Sequence, residues 1–492
     1  MDLHSVEIDL DTETPTAVLH GEDARELGVH PMDRVQLRHN GGTTIGVVKV
    51  TSKLVDPGTI GLTQPLNHLT GAVTIRPAPH PESVRYIRRK LDAVELDRTE
   101  LRTIVQDIYH DRLTDVELAG YVIGVYTNGL SLEETTHLTG AMTNIGERID
   151  WGEPVVADKH SIGGVPGNRT TPIVVSIVAA AGLTIPKTSS KAITSPAGTA
   201  DMMATLCDVA LDRDRIESVV RKTNGCLAWG GAMDLSPVDD RIIQVETPLS
   251  LDPPGQVIAS VLSKKRSAGA THVVIDIPYG EGAKVSSLPA ARRLARDFQR
   301  VGDHLGISVA CAITRGTGPI GRGIGPALEA RDVLAVLDGD GPPALRSKSV
   351  QLADILLEAC GSDADSMTLL ESGRARETFG EIIEAQNGDP TVTASDIDVG
   401  KERHTVTAGQ SGTIMHVDIS LISSLARRAG APRNPGAGLW LHRARGDAVS
   451  NGEKLVTIHA ESAAKLEDAV RFYRRHDVFR ISGEDNLLIE EV

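Results

Sequence analysis

The sequence predicts a multi-domain α/β protein with four parts. These are a small N-terminal β-barrel, a helical lobe, a mainly parallel-sheet α/β lobe and a C-terminal α+β domain. Three observations carry this. Short alternating strand-like runs fill residues 1–76 and stop at a Pro-rich stretch, residues 77–83. Three capping boxes follow at near-equal spacing, Asp97-x-x-Glu100, Thr114-x-x-Glu117 and Ser131-x-x-Glu134. Beyond residue 150, apolar runs alternate with helix-like stretches, the pattern of a parallel sheet covered by helices.

In chain order, residues 6–10 and 34–38 alternate apolar with polar, and Gly41-Gly42 makes a hairpin turn before residues 44–53. A short helix over residues 22–27 should end at Gly28. This part resembles a small barrel of the double-psi kind. In the next part, Leu101, Ile104, Val105 and Ile108 share one helical face, and Leu118, Val122 and Val125 another. Residues 271–277 and 307–313 read as buried strands. Residues 412–415, 439–441 and 455–458 read as strands and 463–475 as a helix. The domain boundaries expected are 1–80, then 84–150 with 225–265 returning to it. The α/β lobe takes 151–224 and 266–400, and the last domain takes 404–492.

Composition narrows the class. The chain has 492 residues, and 66 acidic against 51 basic side chains leave a net charge of −15. That argues against nonspecific nucleic-acid binding and against anionic membrane surfaces. It is compatible with a salt-adapted cytoplasm and equally with an ordinary acidic protein. The four cysteines are far apart and form no C-x-x-C, so a reducing cytoplasm and buried, inert thiols are expected. The first residues lack a basic region followed by an apolar one, and no leader is expected. No triad or Cys-His pattern stands out among the scattered histidines.

The chemistry concentrates in residues 156–203, where two small-residue loops each feed a helix. The first is Asp158-Lys159-His160-Ser161-Ile162-Gly163-Gly164-Val165-Pro166-Gly167-Asn168-Arg169-Thr170, between two apolar runs. Strand, glycine loop and helix aim free N–H groups at an anion. Lys159 adds a charge, and Ser161 and Thr170 add hydroxyl donors. The second loop, residues 188–199, is dense in hydroxyls, carries Lys191 and leads into a helix expected from Thr199 to about Val209. No Gly-Lys-Ser/Thr closes either loop and no G-x-G-x-x-G is present, which disfavours a nucleoside triphosphate or a dinucleotide. A bare phosphate or a phosphorylated metabolite fits better. A tight turn without a ligand is the alternative for either loop. His160 either touches a ligand or packs in the loop, and Arg169 is either a ligand or a surface residue. The Gly-rich residues 315–325 bind an anion through Arg315 or Arg322, or simply turn the chain.

Lys159-His160-Ser161-x-Gly163-Gly164-Val165-x-Gly167 closely resembles the phosphate loop of the thymidine and pyrimidine-nucleoside phosphorylases. Residues 190–199 look like that family's second phosphate-contacting loop. The wording of 189–201 (SSKAITSPAGTAD), 229–243 (WGGAMDLSPVDDRII) and 250–265 (SLDPPGQVIASVLSKK) is most similar to its archaeal branch acting on nucleoside 5′-monophosphates. The resemblance implies phosphorolysis of a glycosidic bond, AMP and inorganic phosphate as substrates with CMP and UMP as further ones, no metal or organic cofactor, and a homodimer or larger homo-oligomer. It implies that 225–265 returns to the helical lobe. Phosphate is itself the nucleophile in such a reaction. The enzyme must hold it at C1′, support oxocarbenium character and neutralise the leaving base.

Carried over residue by residue, Lys159, Ser161, Thr170 and Lys191 hold phosphate. Gly164, Ser190, Lys191, Ala192, Ile193, Thr194, Ser195, Thr199, Ser260 and Lys284 contact AMP, with Lys264 a further base contact. Asp252 is the proton donor. Arg241 matches the family's base-binding Arg only loosely, because the interval to Ser260 is longer here and contains Pro248, Pro253 and Pro254. Without the resemblance, an Asp before Pro-Pro-Gly reads as a turn residue and Lys284 as a solvated lysine. With it, Lys284 points to an anionic 5′-substituent, where nucleoside-specific relatives tend to be apolar or aromatic. Other readings remain: a pyrimidine-nucleoside phosphorylase, an anthranilate-phosphoribosyltransferase-like enzyme, which would need acidic residues holding magnesium on pyrophosphate, and a noncatalytic nucleotide-binding regulator.

Overall fold

A computed structural model of the chain describes residues 1–482 other than Glu13, Ile193, Thr194 and Asp234. The first strands are β1 (Asp2–Glu7) and β2 (Thr16–His20), followed by helix α1 (Gly21–Leu27). β3 (Arg34–His39), β4 (Gly42–Thr51), β5 (Thr59–Leu62) and β6 (Ala72–Pro77) complete a closed barrel in the order β1-β5-β2-β4-β3-β6. Alternation puts Leu19, Val35, Leu37, Val48, Ile60 and Ile75 inside it, and closure removes unpaired edges. Gly28 ends α1 at φ 69°, a left-handed cap that glycine adopts without strain.

Four helices follow: α2 (Ser83–Leu91), α3 (Arg98–Tyr109), α4 (Asp115–Asn128) and α5 (Leu132–Ile145). All three capping boxes form, and each return carboxylate does a second job, Glu100 by accepting from Arg89. Glu117, the return carboxylate on Thr114, also takes both terminal nitrogens of Arg34 from β3, and these bonds hold its carboxyl down at about 2 despite burial. Glu134, the return carboxylate on Ser131, also accepts from buried Lys90 at 2.7 Å and from the Leu96 amide at 2.9 Å. Tyr121 is fully buried among these helices.

The chain next forms β7 (Ala157–Ser161), α6 (Thr171–Ala180), β8 (Ile185–Ser189), α7 (Thr199–Met203), α8 (Arg213–Thr223) and β9 (Gly225–Trp229). After α9 (Pro237–Leu249) and α10 (Pro254–Ser267) come β10 (His272–Tyr279), α11 (Leu288–Leu305) and β11 (Ser308–Arg315). β11, β10 and β7 are parallel, as are β8 and β9, and a bridge from Val156 to Thr184 joins the two sets. The short β12 (Gly323–Ile324) precedes α12 (Pro326–Leu337), α13 (Pro343–Ala359), α14 (Ser366–Glu371) and α15 (Arg374–Ala385). Their apolar faces and α6 build one core around Ile173, Val178, Leu334, Leu356 and Phe379.

The last elements are β13 (Glu402–Thr407), β14 (Gly412–Val417), α16 (Ile419–Ala429), β15 (Gly438–Leu441), β16 (Ala448–Val449), β17 (Lys454–Ala460), α17 (Ala463–Tyr473) and β18 (Phe479–Ser482). They make two antiparallel sheets, β12-β15-β17-β13 and β16-β14-β18, covered by α16 and α17.

By internal packing the chain divides into two compact units, Met1–Ile145 with Pro237–Gln256, and Gly146–Ser236 with Val257–Val492. Three expectations change. The return to the helical part covers Pro237–Gln256 rather than 225–265, because Gly225–Trp229 is a strand paired with β8. The helix from Thr199 ends at Met203, where the chain turns so that Leu206 and Val209 enter the core. Residues 323–324 belong to the C-terminal sheet, and the glycine-rich turn before them is held by the Asp332 carboxylate, which accepts from the Arg322 and Gly323 amides. The four cysteines are unpaired thiols, and burial pushes Cys226 up to about 12.

Candidate active site

The first loop leaves the carboxyl end of β7 and enters α6, the position where parallel sheets hold their ligands. Lys159 on β7 is fully buried. Its ammonium donates to the Thr170 hydroxyl at 2.9 Å and the Thr171 hydroxyl at 3.0 Å. Among the described residues these neutral groups are its only hydrogen-bond partners, so a buried cation stands at the start of α6 beside no bonded carboxylate. Burial brings its pKa down to about 7, partly opposed by Asp276.

Ser161 ends β7 opposite Asp276 on β10 and donates to that carboxylate at 2.9 Å. Asp276 also accepts from Thr314 on β11 at 2.6 Å and pairs with Lys348 of α13 at 2.9 Å. Lys348 and Lys159 hold Asp276 below the usual carboxylate range against the opposing effect of burial. The glycine at 164 has φ 90°, and a Cβ there would lie 2.8 Å from the Lys284 backbone nitrogen and 2.9 Å from its Cγ. Only a glycine lets Lys284 pack on this loop. The structure therefore brings Lys159, Ser161, Thr170, Gly164 and Lys284 to one loop.

The second loop is closed on itself. Asp201 of α7 accepts from the Ala192 and Gly198 amides at 2.6 and 2.8 Å. A Cβ at Gly198 would meet the Ser190 carbonyl at 2.5 Å. Ser190 and Lys191 are exposed, and the Lys191 ammonium lies 4.0 Å from the centre of the Trp229 ring, a cation–π contact. Ser195 donates to the Ala197 carbonyl at 3.3 Å. Ile193 and Thr194 lie outside the described residues. Lys159 and Lys191 are thus engaged separately, one on hydroxyls inside, one on an indole face.

Arg169 is largely buried rather than a surface residue, and its guanidinium is engaged by three protein groups. Its Nε donates to Glu329 of α12 at 2.6 Å, Nη1 to the Thr199 hydroxyl at 2.7 Å and Nη2 to the Ala197 carbonyl at 2.8 Å.

Beneath the first loop, Asp158 is fully buried and pairs with Lys265 at 2.7 Å and Lys187 at 3.5 Å. This ties β7 and β8 to α10, the helix that carries Ser260 and Lys264. Burial, with Lys265, Lys187, Lys159 and Lys264 nearby, keeps His160 neutral, well below its ordinary pKa. Asp252 lies between α9 and α10, in the stretch packed with the helical unit. Arg241, in the same stretch, pairs with Asp111 at 3.2 Å and Asp115 at 3.4 Å. Its guanidinium is therefore committed to the α3–α4 connection.

Sequence reasoning missed Asp276, Lys348, Asp201, the Arg169–Glu329 pair and the Asp158 triad. A signal existed for two. Asp276 is a lone carboxylate within an apolar strand, and Asp158 directly precedes Lys159. A buried charge in such a place needs a partner.

Helical bundle, parallel sheet and C-terminal sheets define a class of glycosyl transferase. Residues 84–146 match the model for the glycosyl transferase family helical bundle domain, and 153–331 the a/b domain of the same family. Residues 413–476 match the pyrimidine nucleoside phosphorylase C-terminal domain. The anthranilate phosphoribosyltransferase of Thermus thermophilus has a similar fold, with TM-score 0.51 and 15% identity over 61% of this chain and 99% of that one. The AMP phosphorylase of Natronomonas pharaonis is 54% identical over the full length of both chains. AMP phosphorylase 1 of Archaeoglobus fulgidus is 44% identical over 95% of this chain and 94% of that one, and the Thermococcus kodakarensis AMP phosphorylase is 44% identical over 95% of each. The chain belongs to the AMP phosphorylase family.

Proposed function

We propose that the protein phosphorolyses nucleoside 5′-monophosphates, converting AMP and inorganic phosphate to adenine and ribose 1,5-bisphosphate. The observation that carries this at the site is Lys159, a buried ammonium in a cradle of hydroxyls with no bonded carboxylate among the described residues. A dianion placed there supplies the missing charge. A phosphate oxygen bonds to C1′ as the bond from C1′ to the base nitrogen breaks, and the base leaves with a proton from Asp252. Thr170 and the start of α6 orient phosphate, and the 190–199 loop and Ser260 hold the nucleotide. Lys284, packed on Gly164, faces the 5′-phosphate. The protein works as a homodimer or larger homo-oligomer in the cytoplasm, and light scattering on purified protein tests the assembly. Among the described residues no helix is long and apolar enough to cross a membrane.

Chromatography of bases released from AMP and adenosine, with and without phosphate, tests the reaction. Base release at equal rate in phosphate-free buffer would remove phosphorolysis. Asp252→Asn should lower kcat by about 10²–10⁴-fold, the range for general acid catalysis, with the KM for AMP little changed. Unaltered turnover would take Asp252 out of the mechanism. Lys284→Ala should cut the preference for AMP over adenosine by about 10- to 100-fold, the worth of one charged hydrogen bond. Discrimination equal to wild type would reassign Lys284 to solvent.

A further inference from the structure

We infer that Arg169 is a positioning residue that sets the register between the two anion loops and so aligns phosphate with the nucleotide. This rests on the phosphorolysis proposed above and adds a part to it. Arg169 immediately precedes Thr170, the hydroxyl that accepts from Lys159. Its three nitrogens reach out of the first loop to three fixed points. Nη1 meets the Thr199 hydroxyl at the first turn of α7, Nη2 the Ala197 carbonyl, and Nε the Glu329 carboxylate of α12.

Each partner is itself held. Glu329 is buried and accepts from the Gly325 amide. The second loop is closed by Asp201 on the Ala192 and Gly198 amides and by the contact of Gly198 with Ser190. Ser190, Ala192 and Gly198 are thereby drawn together on Asp201, and the bonds to Ala197 and Thr199 attach Arg169 to the same cluster. With Nε, Nη1 and Nη2 each donating to protein, the side chain acts through Thr170 and Thr199.

A planar fork with three separated donor positions can hold two loops and a helix at once. A lysine ammonium keeps the charge but concentrates its donors at one point. Arg169→Lys therefore leaves each loop with its own ligands and loses the spacing between them. Misplacement by about 1 Å costs on the order of 10²-fold in rate when two reactants must meet.

The experiment compares wild type, Arg169→Lys and Arg169→Ala for kcat, for KM toward AMP and toward phosphate, and for melting temperature. Arg169→Lys should lose about 10- to 100-fold in kcat, with both KM values changed by less than about threefold. In folded Arg169→Ala, millimolar guanidinium ion should restore part of kcat, whereas the same concentration of sodium ion should not. A folded Arg169→Lys with kcat within about twofold of wild type overturns the inference. So does a variant whose lost activity is accounted for by a lowered melting temperature and fewer active molecules, without rescue by guanidinium. If Arg169→Lys does not fold, Glu329→Gln takes its place. That variant keeps an acceptor for Nε but removes its charge, and an unchanged kcat there counts against the clamp. Wild-type protein that releases no base from AMP in the presence of phosphate removes the phosphorolysis reading itself. Active wild type with unaltered variants removes only the role of Arg169.

Discussion

Replacing Lys159 with methionine is expected to lower kcat/KM for phosphate by about 10²–10³-fold, the cost of deleting one preorganised donor to a developing or bound anion. Methionine keeps an unbranched side chain of similar length, so the packing around β7 and α6 survives while the ammonium is lost. The effect should be large because the side chain is fully buried and bonds only to the Thr170 and Thr171 hydroxyls among the described residues. Water cannot replace the missing charge there.

The pH dependence gives a sharper check. Burial lowers Lys159 from 10.5 in the unfolded chain to about 7 in the folded one. Below about pH 7 it is protonated in both states, and the folded protein carries the full cost of the buried charge. Between about 7 and 10.5 the folded form has released the proton and the unfolded form has not, so the cost is relieved as pH rises. Ligand-free wild type should therefore gain stability relative to Lys159→Met across that window. Phosphate affinity should move the other way, because the dianion needs the ammonium. Titration calorimetry between about pH 8 and 9.5, in buffers of different ionisation enthalpy, should show proton uptake on phosphate binding to wild type and less in the variant. Equal proton uptake by both proteins would show that Lys159 does not meet the anion.

What could be read from sequence was mostly local. A capping box needs residues three apart, and all three formed. Gly28 ends a helix because the residues before it are helical and the next must turn left-handed. The two loops were visible because glycine and hydroxyl density are local properties, and Lys159, Ser161 and Thr170 fall together because one strand and one helix start place them. Long-range partners were not legible. Lys191 rests on Trp229 and Arg169 on Glu329, and no periodicity reports such pairs. The limits of the returning segment were missed for the same reason. Residues 225–229 became a strand only because β8 offers them a parallel partner. The helix at Thr199 stopped early because core positions for Leu206 and Val209 outweighed local propensity.

The Asp158 triad shows how strongly such nonlocal pairs should matter. One carboxylate with no solvent exposure faces the ammonium groups of Lys265 and Lys187, themselves almost wholly buried. Asp158→Asn keeps shape and removes the only negative charge bonded to either lysine among the described residues. Two buried cations are then left facing each other, and breaking a buried pair from one side costs about 3–5 kcal/mol. Burial together with Lys265 already depresses Lys187 well below its ordinary pKa. Alkaline buffer should therefore lessen the damage, since Lys187 can shed its proton in the folded state while the unfolded chain keeps its own. Removing Lys265 as well, in Asp158→Asn with Lys265→Met, should recover part of the loss, so the two changes are far from additive. Denaturant melts of the single and double variants at neutral and alkaline pH make the comparison. Because α10 also carries Ser260 and Lys264, the KM for AMP should rise in Asp158→Asn more than the KM for phosphate. A single variant as stable as wild type at neutral pH would mean that the triad holds β7 to α10 by hydrogen bonds rather than by charge.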